Sequence, residues 1–141
     1  MAEYEATAGM PAESTVVFGV VSDIETMDRW LPRGLWVRDS GPARVEAGGE
    51  LLDAGTGHEG LIRTSPEQLR VEWGGRDHPG YAGWLQVSDT GAGASEITVH
   101  ISLLDEPAPA ARHREAEIQP MLEDSLERLA NEVTRRVSAA G

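Results

Sequence analysis

The C-terminal part of the chain carries the clearest hydrophobic pattern. Between residues 118 and 137, apolar positions recur at helical spacing and occupy one side of a helix, with charged and amide side chains opposite. Such a helix is about 30 Å long at about 1.5 Å per residue, so it requires an extended apolar surface to pack on. Arg135 and Arg136 are predicted in its last turn, where they complement the helix dipole. The apolar positions are Ile118, Met121, Leu122, Leu126, Leu129, Ala130, Val133 and Val137.

Strand-like segments precede this helix. The clearest is Glu96–Leu104, in which apolar residues alternate with polar ones. This alternation indicates one buried and one solvated face, which is typical of an antiparallel sheet. Glu3–Ala8 is predicted as a first strand. The other candidate strands, separated by turns rich in glycine and proline, are Leu35–Asp39, Glu50–Ala54, Gly60–Thr64, Leu69–Gly74 and Tyr81–Ser88.

Two short helices are predicted between the first strand and the others. The first opens around Pro11, because proline is tolerated near the first helical position. Ser22-x-x-Glu25 matches a capping box, which predicts a second helix that begins there and ends before Pro32. Pro120 is placed in the first turn of the closing helix for the same steric reason as Pro11. The predicted buried face of the first helix consists of Val16, Val17, Val20 and Val21. The apolar residues of the second helix are Ile24, Met27, Trp30 and Leu31.

Length and composition favour one globular domain over residues 1–141. The chain has no cysteine, so neither a disulfide nor a cysteine-based metal site is expected. Residues 1–9 are acidic, and no run approaches the ~20 apolar residues of a membrane span, so we expect no signal peptide, no membrane span and a cytoplasmic location.

The charge balance excludes several function classes. The chain has twenty-four acidic residues, twelve arginines and no lysine, so its net charge is −12. This charge disfavours nucleic acid and anionic membranes as partners. Without lysine or cysteine, Schiff-base chemistry, a pyridoxal-phosphate anchor, a Walker-A loop and thiol nucleophiles are all excluded. We expect no cofactor, and a monomer or weak homodimer.

The predicted element order is a strand, two short helices, six strands and a long helix. Family-like residues stand at both ends of this order: Pro11-Ala12-Glu13, Val16, Val20, Asp23, Trp30-Leu31-Pro32 and the segment 121–130. On these residues and this order the chain resembles, over nearly its whole length, the START/Bet v 1-like (SRPBCC) superfamily in its polyketide cyclase/dehydrase-like branch. The resemblance implies an α+β helix-grip fold, in which a curved antiparallel sheet wraps around the C-terminal helix and leaves a cavity for an apolar molecule. A lipocalin-like barrel lacks the early helices, and a ketosteroid-isomerase-like cone normally ends in strands.

Residues 55–60, Gly-Thr-Gly-His-Glu-Gly, match the dinucleotide-binding fingerprint. That site requires a helix directly after the glycines, whose N-terminus receives the pyrophosphate. Residues 61–66 instead have the pattern of a strand and a turn. A glycine-rich hairpin turn is therefore predicted.

The four histidines do not form a site by their spacing. His100 alternates onto the solvated face of its strand, His58 precedes a strand and can point inward, and His78 lies at a strand end, where cavity mouths occur in the resembled fold. His113 and Glu117 are spaced i, i+4, but a metal site requires a third ligand that the sequence does not identify. No metal site is predicted.

Sheet phase and helix face select the residues expected to line the cavity that the resemblance implies. Trp73 shares the inward phase of Val71, and Tyr81 shares that of Leu85, whereas Trp84 is predicted on the outer face. Ser125 interrupts the apolar side of the closing helix, and its buried hydroxyl requires a partner, either the carbonyl of Met121 or a ligand. The candidate ligand-binding residues are Val71, Trp73, Tyr81, Leu85, Val99, Ile101, Met121, Leu122, Ser125 and Leu129.

Three functions remain open at this point. The resemblance favours a module that binds a lipid, a sterol or a polyketide-like molecule. It also permits a cyclase or dehydratase, which would need a general acid or base such as His58, Tyr81 or a buried carboxylate. The third function is a protein-partner module similar to the Hsp90-activator-like relatives, steered to a basic partner by the negative charge.

Overall fold

The computed structural model describes residues 2–31, 36–42, 44–48, 58–75, 81–103 and 112–140. This part of the chain contains seven strands, two α-helices and one 3-10 helix. Within it, no helix combines the length and the apolar character needed to cross a bilayer. In chain order the elements are β1 (Ala2–Met10), α1 (Ser14–Val21), the 3-10 helix (Ile24–Arg29), β2 (Trp36–Gly41), β3 (Arg44–Gly48), β4 (His58–Ser65), β5 (Arg70–Gly75), β6 (Tyr81–Gly91), β7 (Ala94–Leu103) and α2 (Arg112–Ala140).

The strands form one curved antiparallel sheet in the order β1-β7-β6-β5-β4-β3-β2. β1 pairs with the last strand, so α1 and the 3-10 helix connect the two edges of the sheet. The prediction of an antiparallel sheet followed by a long helix is confirmed. The alternation predicted for Glu96–Leu104 is confirmed in β7, where Ile97, Val99 and Ile101 are at most 7% exposed.

One strand was missed by the sequence analysis. β3 is short, and of its described side chains only Val45 is buried, so it gives almost no alternation signal. It pairs with β2 and β4. The predicted strand Glu50–Ala54 and the glycines at 55 and 57 lie outside the described residues. Gly60 lies inside strand β4, so a strand follows the glycines as predicted, and not the helix that a dinucleotide site requires.

The face of α1 differs from the prediction at Val16, which is 42% exposed. The buried stripe follows the spacing i, i+3, i+4, i+7 from Ser14 and includes Phe18. The capping-box prediction was also wrong, because the Ser22 hydroxyl donates to the Phe18 carbonyl at 2.7 Å and caps the C-terminus of α1. The short helix that follows is a 3-10 helix with Asp23 at its N-cap, and Met27, one of its predicted apolar residues, is buried.

Helix α2 is longer than predicted at both ends. Pro120 therefore lies inside the helix and not in its first turn, and it removes one backbone hydrogen bond there. Arg135 and Arg136 are not in the last turn. Val137 is 43% exposed, because the buried side of the helix ends at Val133.

The apolar core lies between one face of the sheet and α2. This inner face consists of the side chains that share the phase of Val71, Leu85 and Val99. At the end of the core covered by α1, Val87, Ile97 and Leu129 are at most 1% exposed. The core is thus closed at that end.

Candidate functional site

The sheet side of the candidate site is a set of apolar side chains in register across neighbouring strands. Val71 of β5 lies opposite Leu85 of β6, which lies opposite Val99 of β7. All three are at most 7% exposed, as is Ile101 two residues further along β7. The cross-strand register therefore brings together four predicted site residues from three strands, because inward positions recur with period two in each strand.

Trp73 forms the more open part of this wall. It lies opposite Gly83, which lies opposite Ile101, and Ile101 lies opposite Tyr4 of the edge strand β1. A Cβ atom on Gly83 would lie 2.5–2.6 Å from three atoms of the Trp73 indole, so the ring packs directly on the glycine backbone. Trp73 and Tyr4 are only partly buried. The glycine thus lets a flat indole lie against the sheet.

Helix α2 supplies the opposite wall. Leu122 and Leu129 are at most 2% exposed, and Met121 is partly buried, so all three predicted residues face the sheet side or its border. Ser125 is 4% exposed, and its hydroxyl donates to the Trp30 carbonyl. The predicted bond to the Met121 carbonyl is therefore wrong, because the chain after the 3-10 helix passes close to this face and offers a better placed acceptor.

The helix lies asymmetrically across the sheet. Its backbone approaches β1 more closely than β5 or β6. The Gln119 side-chain amide donates to the Glu5 carbonyl at 2.8 Å, and small Ala6 on the inner face of β1 permits this close approach. Farther along, Arg128 donates to the Leu31 carbonyl at 2.7 Å.

Four partly buried apolar residues lie at one end of this arrangement. Tyr4 and Trp73 lie in one row of the sheet, and Ile118 and Met121 lie on α2 next to Gln119, which contacts β1. The other predicted site residues whose side chains the structure describes are buried more deeply. The candidate site is therefore the less closed end of the core.

Five residues considered in the sequence analysis have side chains outside the described part. Tyr81 begins β6 in the inward phase, but its side chain lies outside that part, as does the side chain of His58 in β4. His78 lies outside the described residues altogether. The side chains of His113 and Glu117 are outside the described part as well.

The outer face of the sheet carries a separate stack of side chains. The Trp84 and His100 rings stack with centroids 5.3 Å apart and an interplanar angle of 7°, and the Arg70 guanidinium lies 4.4 Å from the Trp84 ring. Nδ1 of His100 lies 3.4 Å from a Glu5 carboxylate oxygen. The predicted outward positions of Trp84 and His100 are confirmed. This pair lies on the opposite side of the sheet from the candidate site.

Helix α2 contains a buried carboxylate that was not among the residues predicted from the sequence. Glu132 has a side chain only 3% exposed, and it pairs with Arg29 at 3.0 Å, with Arg136 at 3.2 Å and with Arg135. A surface cleft of about 480 Å³ adjoins this cluster and is also lined by Arg128 and Asn131. The sequence feature that could have indicated this cluster is the i, i+4 spacing of Glu132 and Arg136, which favours an ion pair on a helix. Its deep burial depends on Arg29, 103 positions away.

The described residues limit the chemistry that the site offers. Among them, Glu132 is the only buried carboxylate, and its three arginine partners neutralise it. No group of three or more histidines and acids in this part of the chain is arranged to hold a metal ion. The described inner walls are apolar, which suits burial of an uncharged organic molecule.

Comparison with known families agrees with this arrangement. The profile of a family described as "Polyketide cyclase / dehydrase and lipid transport" matches residues 1–134. No curated protein matches the sequence at a significant level.

Solved structures with the same architecture cover nearly the whole chain. The aromatase/cyclase Zhui from Streptomyces sp. R1128 has a TM-score of 0.73 at 14% identity and covers 99% of this chain and 98% of its own. A START superfamily protein from Mycobacterium smegmatis has a TM-score of 0.69 at 17% identity, with 94% and 97% covered. A protein from Thermus thermophilus has a TM-score of 0.69 at 18% identity, with 99% of both chains covered. At such identities the likeness establishes the fold, and the predicted helix-grip architecture is confirmed.

Proposed function

The chain belongs to the polyketide cyclase/dehydrase and lipid transport family, and on this premise we propose that it binds a small hydrophobic molecule between the inner face of its sheet and α2. The bound molecule is a lipid, a sterol or a polyketide-like compound. The site consists of the ten residues predicted from the sequence, with Trp73 and Met121 at its more open end.

The observation that supports this proposal most directly is the partial burial of large apolar side chains at one end of the core. Val87, Ile97 and Leu129 under α1 are at most 1% exposed, whereas Tyr4, Trp73, Ile118 and Met121 are only partly buried. A large indole that stays partly exposed on the inner face leaves apolar surface that a ligand can cover. Covering that surface is favourable by roughly 25 cal/mol per Å² of apolar area.

A thermal-shift experiment tests this function. The protein is heated with members of a panel of aromatic polyketides, sterols and fatty acids. A ligand at about 100 times its Kd raises the stability of the native state by about 2.7 kcal/mol, because it binds only the folded form. The absence of a shift with every member of the panel contradicts the proposal.

A pair of tryptophan variants then locates the site. Trp73→Ala removes a ring from the inner face, and Trp84→Ala removes a ring from the outer face. We expect Trp73→Ala to weaken binding of the ligand found in the panel and Trp84→Ala to leave its Kd unchanged. Equal effects of the two variants would place the ligand elsewhere.

A cyclase or dehydratase activity is a second candidate function, supported by the same family. It requires a general acid or base that reaches the ligand. Glu132 does not meet this requirement, since three arginines hold its carboxylate. Tyr81 and His58 remain the candidates from the sequence. If this function is correct, Tyr81→Phe or His58→Gln abolishes turnover of a polyketide substrate while the substrate's Kd stays within a few-fold.

The remaining expectations are proposals as well. We propose that residues 1–141 form a single domain, that the protein is a monomer or weak homodimer in the cytoplasm, and that it has no nucleic-acid partner. Light scattering after size exclusion measures the oligomeric state. A complex larger than a dimer, or binding to a DNA column at low salt, contradicts the corresponding statement.

A further inference from the structure

Trp30 has a buried hydrogen-bond donor without an acceptor. The residue is 6% exposed, and its indole Nε1 is the only buried side-chain nitrogen or oxygen without a partner among the described residues. Buried polar groups in native proteins almost always have a partner. An unpaired one costs about 1–3 kcal/mol. This donor therefore calls for a functional explanation.

The backbone around Trp30 is held firmly against the middle of α2. Its own carbonyl accepts the Ser125 hydroxyl, and the next carbonyl, of Leu31, accepts a hydrogen bond from Arg128. The Trp30 side chain belongs to the same apolar cluster as Leu122 and Leu129. Because the backbone is held on α2 and the ring is packed in the core, the indole cannot reach solvent without disrupting these contacts.

The Trp30 carbonyl accepts a hydrogen bond from Ser125, a residue of the proposed ligand site, and the indole belongs to the same apolar cluster as Leu122 and Leu129 of that site. We propose, resting on the function given above, that the ligand is an uncharged apolar molecule carrying an acceptor oxygen, and that the Trp30 indole N–H donates a hydrogen bond to this oxygen. A ketone, quinone or ester carbonyl fits this description. A plain hydrocarbon does not.

Charge considerations favour a neutral oxygen over a carboxylate. An ionised group in an apolar site requires a counter-charge, since desolvating it is very costly. Arg128 is paired with Asp124 at 3.0 Å and with the Leu31 carbonyl, and Arg29 is paired with Glu132. The nearest described cations are thus engaged outside the apolar core. A neutral carbonyl needs only the single donor that Trp30 offers.

Two naphthalene probes of nearly equal shape test this inference. 2-Acetylnaphthalene carries a carbonyl, whereas 2-isopropylnaphthalene replaces it with a hydrocarbon group. A neutral hydrogen bond contributes about 0.5–1.5 kcal/mol net, so we expect the ketone to bind up to about tenfold more tightly. In the Trp30→Phe variant, which removes the N–H and keeps an aromatic ring, this preference disappears. Trp84→Phe, on the outer face of the sheet, retains it.

Nuclear magnetic resonance of the unaltered protein gives an independent readout. The four tryptophan indole N–H signals are assigned from single Trp→Phe variants. We expect 2-acetylnaphthalene to shift the Trp30 signal downfield and 2-isopropylnaphthalene to leave it nearly in place. Since this measurement uses the native chain, it applies even if Trp30→Phe folds poorly.

The possible outcomes separate this inference from the proposed function. If both probes bind equally and the Trp30 signal does not respond to the ketone, the hydrogen-bond inference is wrong and the hydrophobic site remains. If neither probe binds and the wider ligand panel gives no thermal shift, the proposed function fails and the inference fails with it.

Discussion

Replacing Gly83 with alanine tests the packing of the inner sheet face. The added Cβ would lie 2.5–2.6 Å from three atoms of the Trp73 indole, whereas non-bonded carbon atoms normally lie about 3.5–4.0 Å apart. The ring must therefore move by about 1 Å. Gly83 and Trp73 lie opposite each other in paired strands inside the sheet, so the backbone cannot easily move to relieve this overlap.

The expected cost follows from this overlap. Overpacking a well-packed interior typically costs about 1–3 kcal/mol. For a domain of this size the change corresponds to a fall in Tm of about 3–10 °C. Because the displaced indole moves off the sheet and toward α2, we also expect weaker binding of any ligand found in the thermal-shift panel.

Calorimetry of four variants, namely Gly83→Ala, Gly9→Ala, Trp73→Leu and the Trp73→Leu/Gly83→Ala double variant, tests this expectation. Gly9→Ala is the matched control, because Gly9 also lies in a strand and its Cβ would have no neighbour within 4 Å. We expect this control to change stability by less than about 0.5 kcal/mol. In a Trp73→Leu background Gly83→Ala should lose most of its cost, since the clashing ring is gone. A Gly83→Ala variant as stable as Gly9→Ala, or a cost unchanged in the Trp73→Leu background, would refute the argument.

Three further predictions concern α2, and urea unfolding measures each of them. Glu132→Gln leaves three guanidinium groups without their shared carboxylate, so we expect the free energy of unfolding to fall by about 3 kcal/mol, against less than about 0.5 kcal/mol for the exposed control Glu127→Gln. Equal losses in the two variants would show that the buried cluster adds nothing to stability. Ser125→Ala removes the donor to the buried Trp30 carbonyl at the end of the 3-10 helix, and we expect the free energy of unfolding to fall by about 1–3 kcal/mol. An unchanged urea midpoint would mean that this hydrogen bond is absent in solution. Val133→Ala in the closed core should lower the free energy of unfolding by at least about 1.5 kcal/mol, whereas Val137→Ala should be neutral or slightly stabilising, because that position is 43% exposed and alanine favours helix. Similar losses at the two positions would contradict the observation that the buried side of α2 ends at Val133.

Local periodicity predicted buried positions correctly where burial follows from the geometry of a single strand or helix. The inward positions Val99 and Ile101 follow from period-two alternation in β7, and Leu122 and Leu129 follow from helical spacing in α2. The order of the elements then favoured the helix-grip fold, which the sheet topology and the solved structures with the same architecture confirm. The opposite sheet faces predicted for Trp73 and Trp84 were also correct, because they follow from the same period-two alternation within a strand.

Periodicity failed where burial depends on which distant segment covers a residue. Val16 and Val137 have the right spacing for a buried face, yet both are more than 40% exposed, because the described elements of the fold leave them uncovered. Glu132 shows the reverse case. Its charge predicts an exposed position, but the 3-10 helix brings Arg29 onto it and makes burial tolerable.

The sequence by itself therefore determined the antiparallel sheet, the amphipathic closing helix and the apolar character of the candidate site, because these depend on residue type and on spacing within one element. Only the tertiary structure decided that Ser125 bonds to the Trp30 carbonyl, that Arg29 joins the ion pairs of Glu132, and that the Trp30 indole N–H has no partner. Each of these depends on how the segment after α1 meets α2, about one hundred positions later in the chain. Contacts between such distant segments are set by the packing of the whole fold, and no local pattern encodes them.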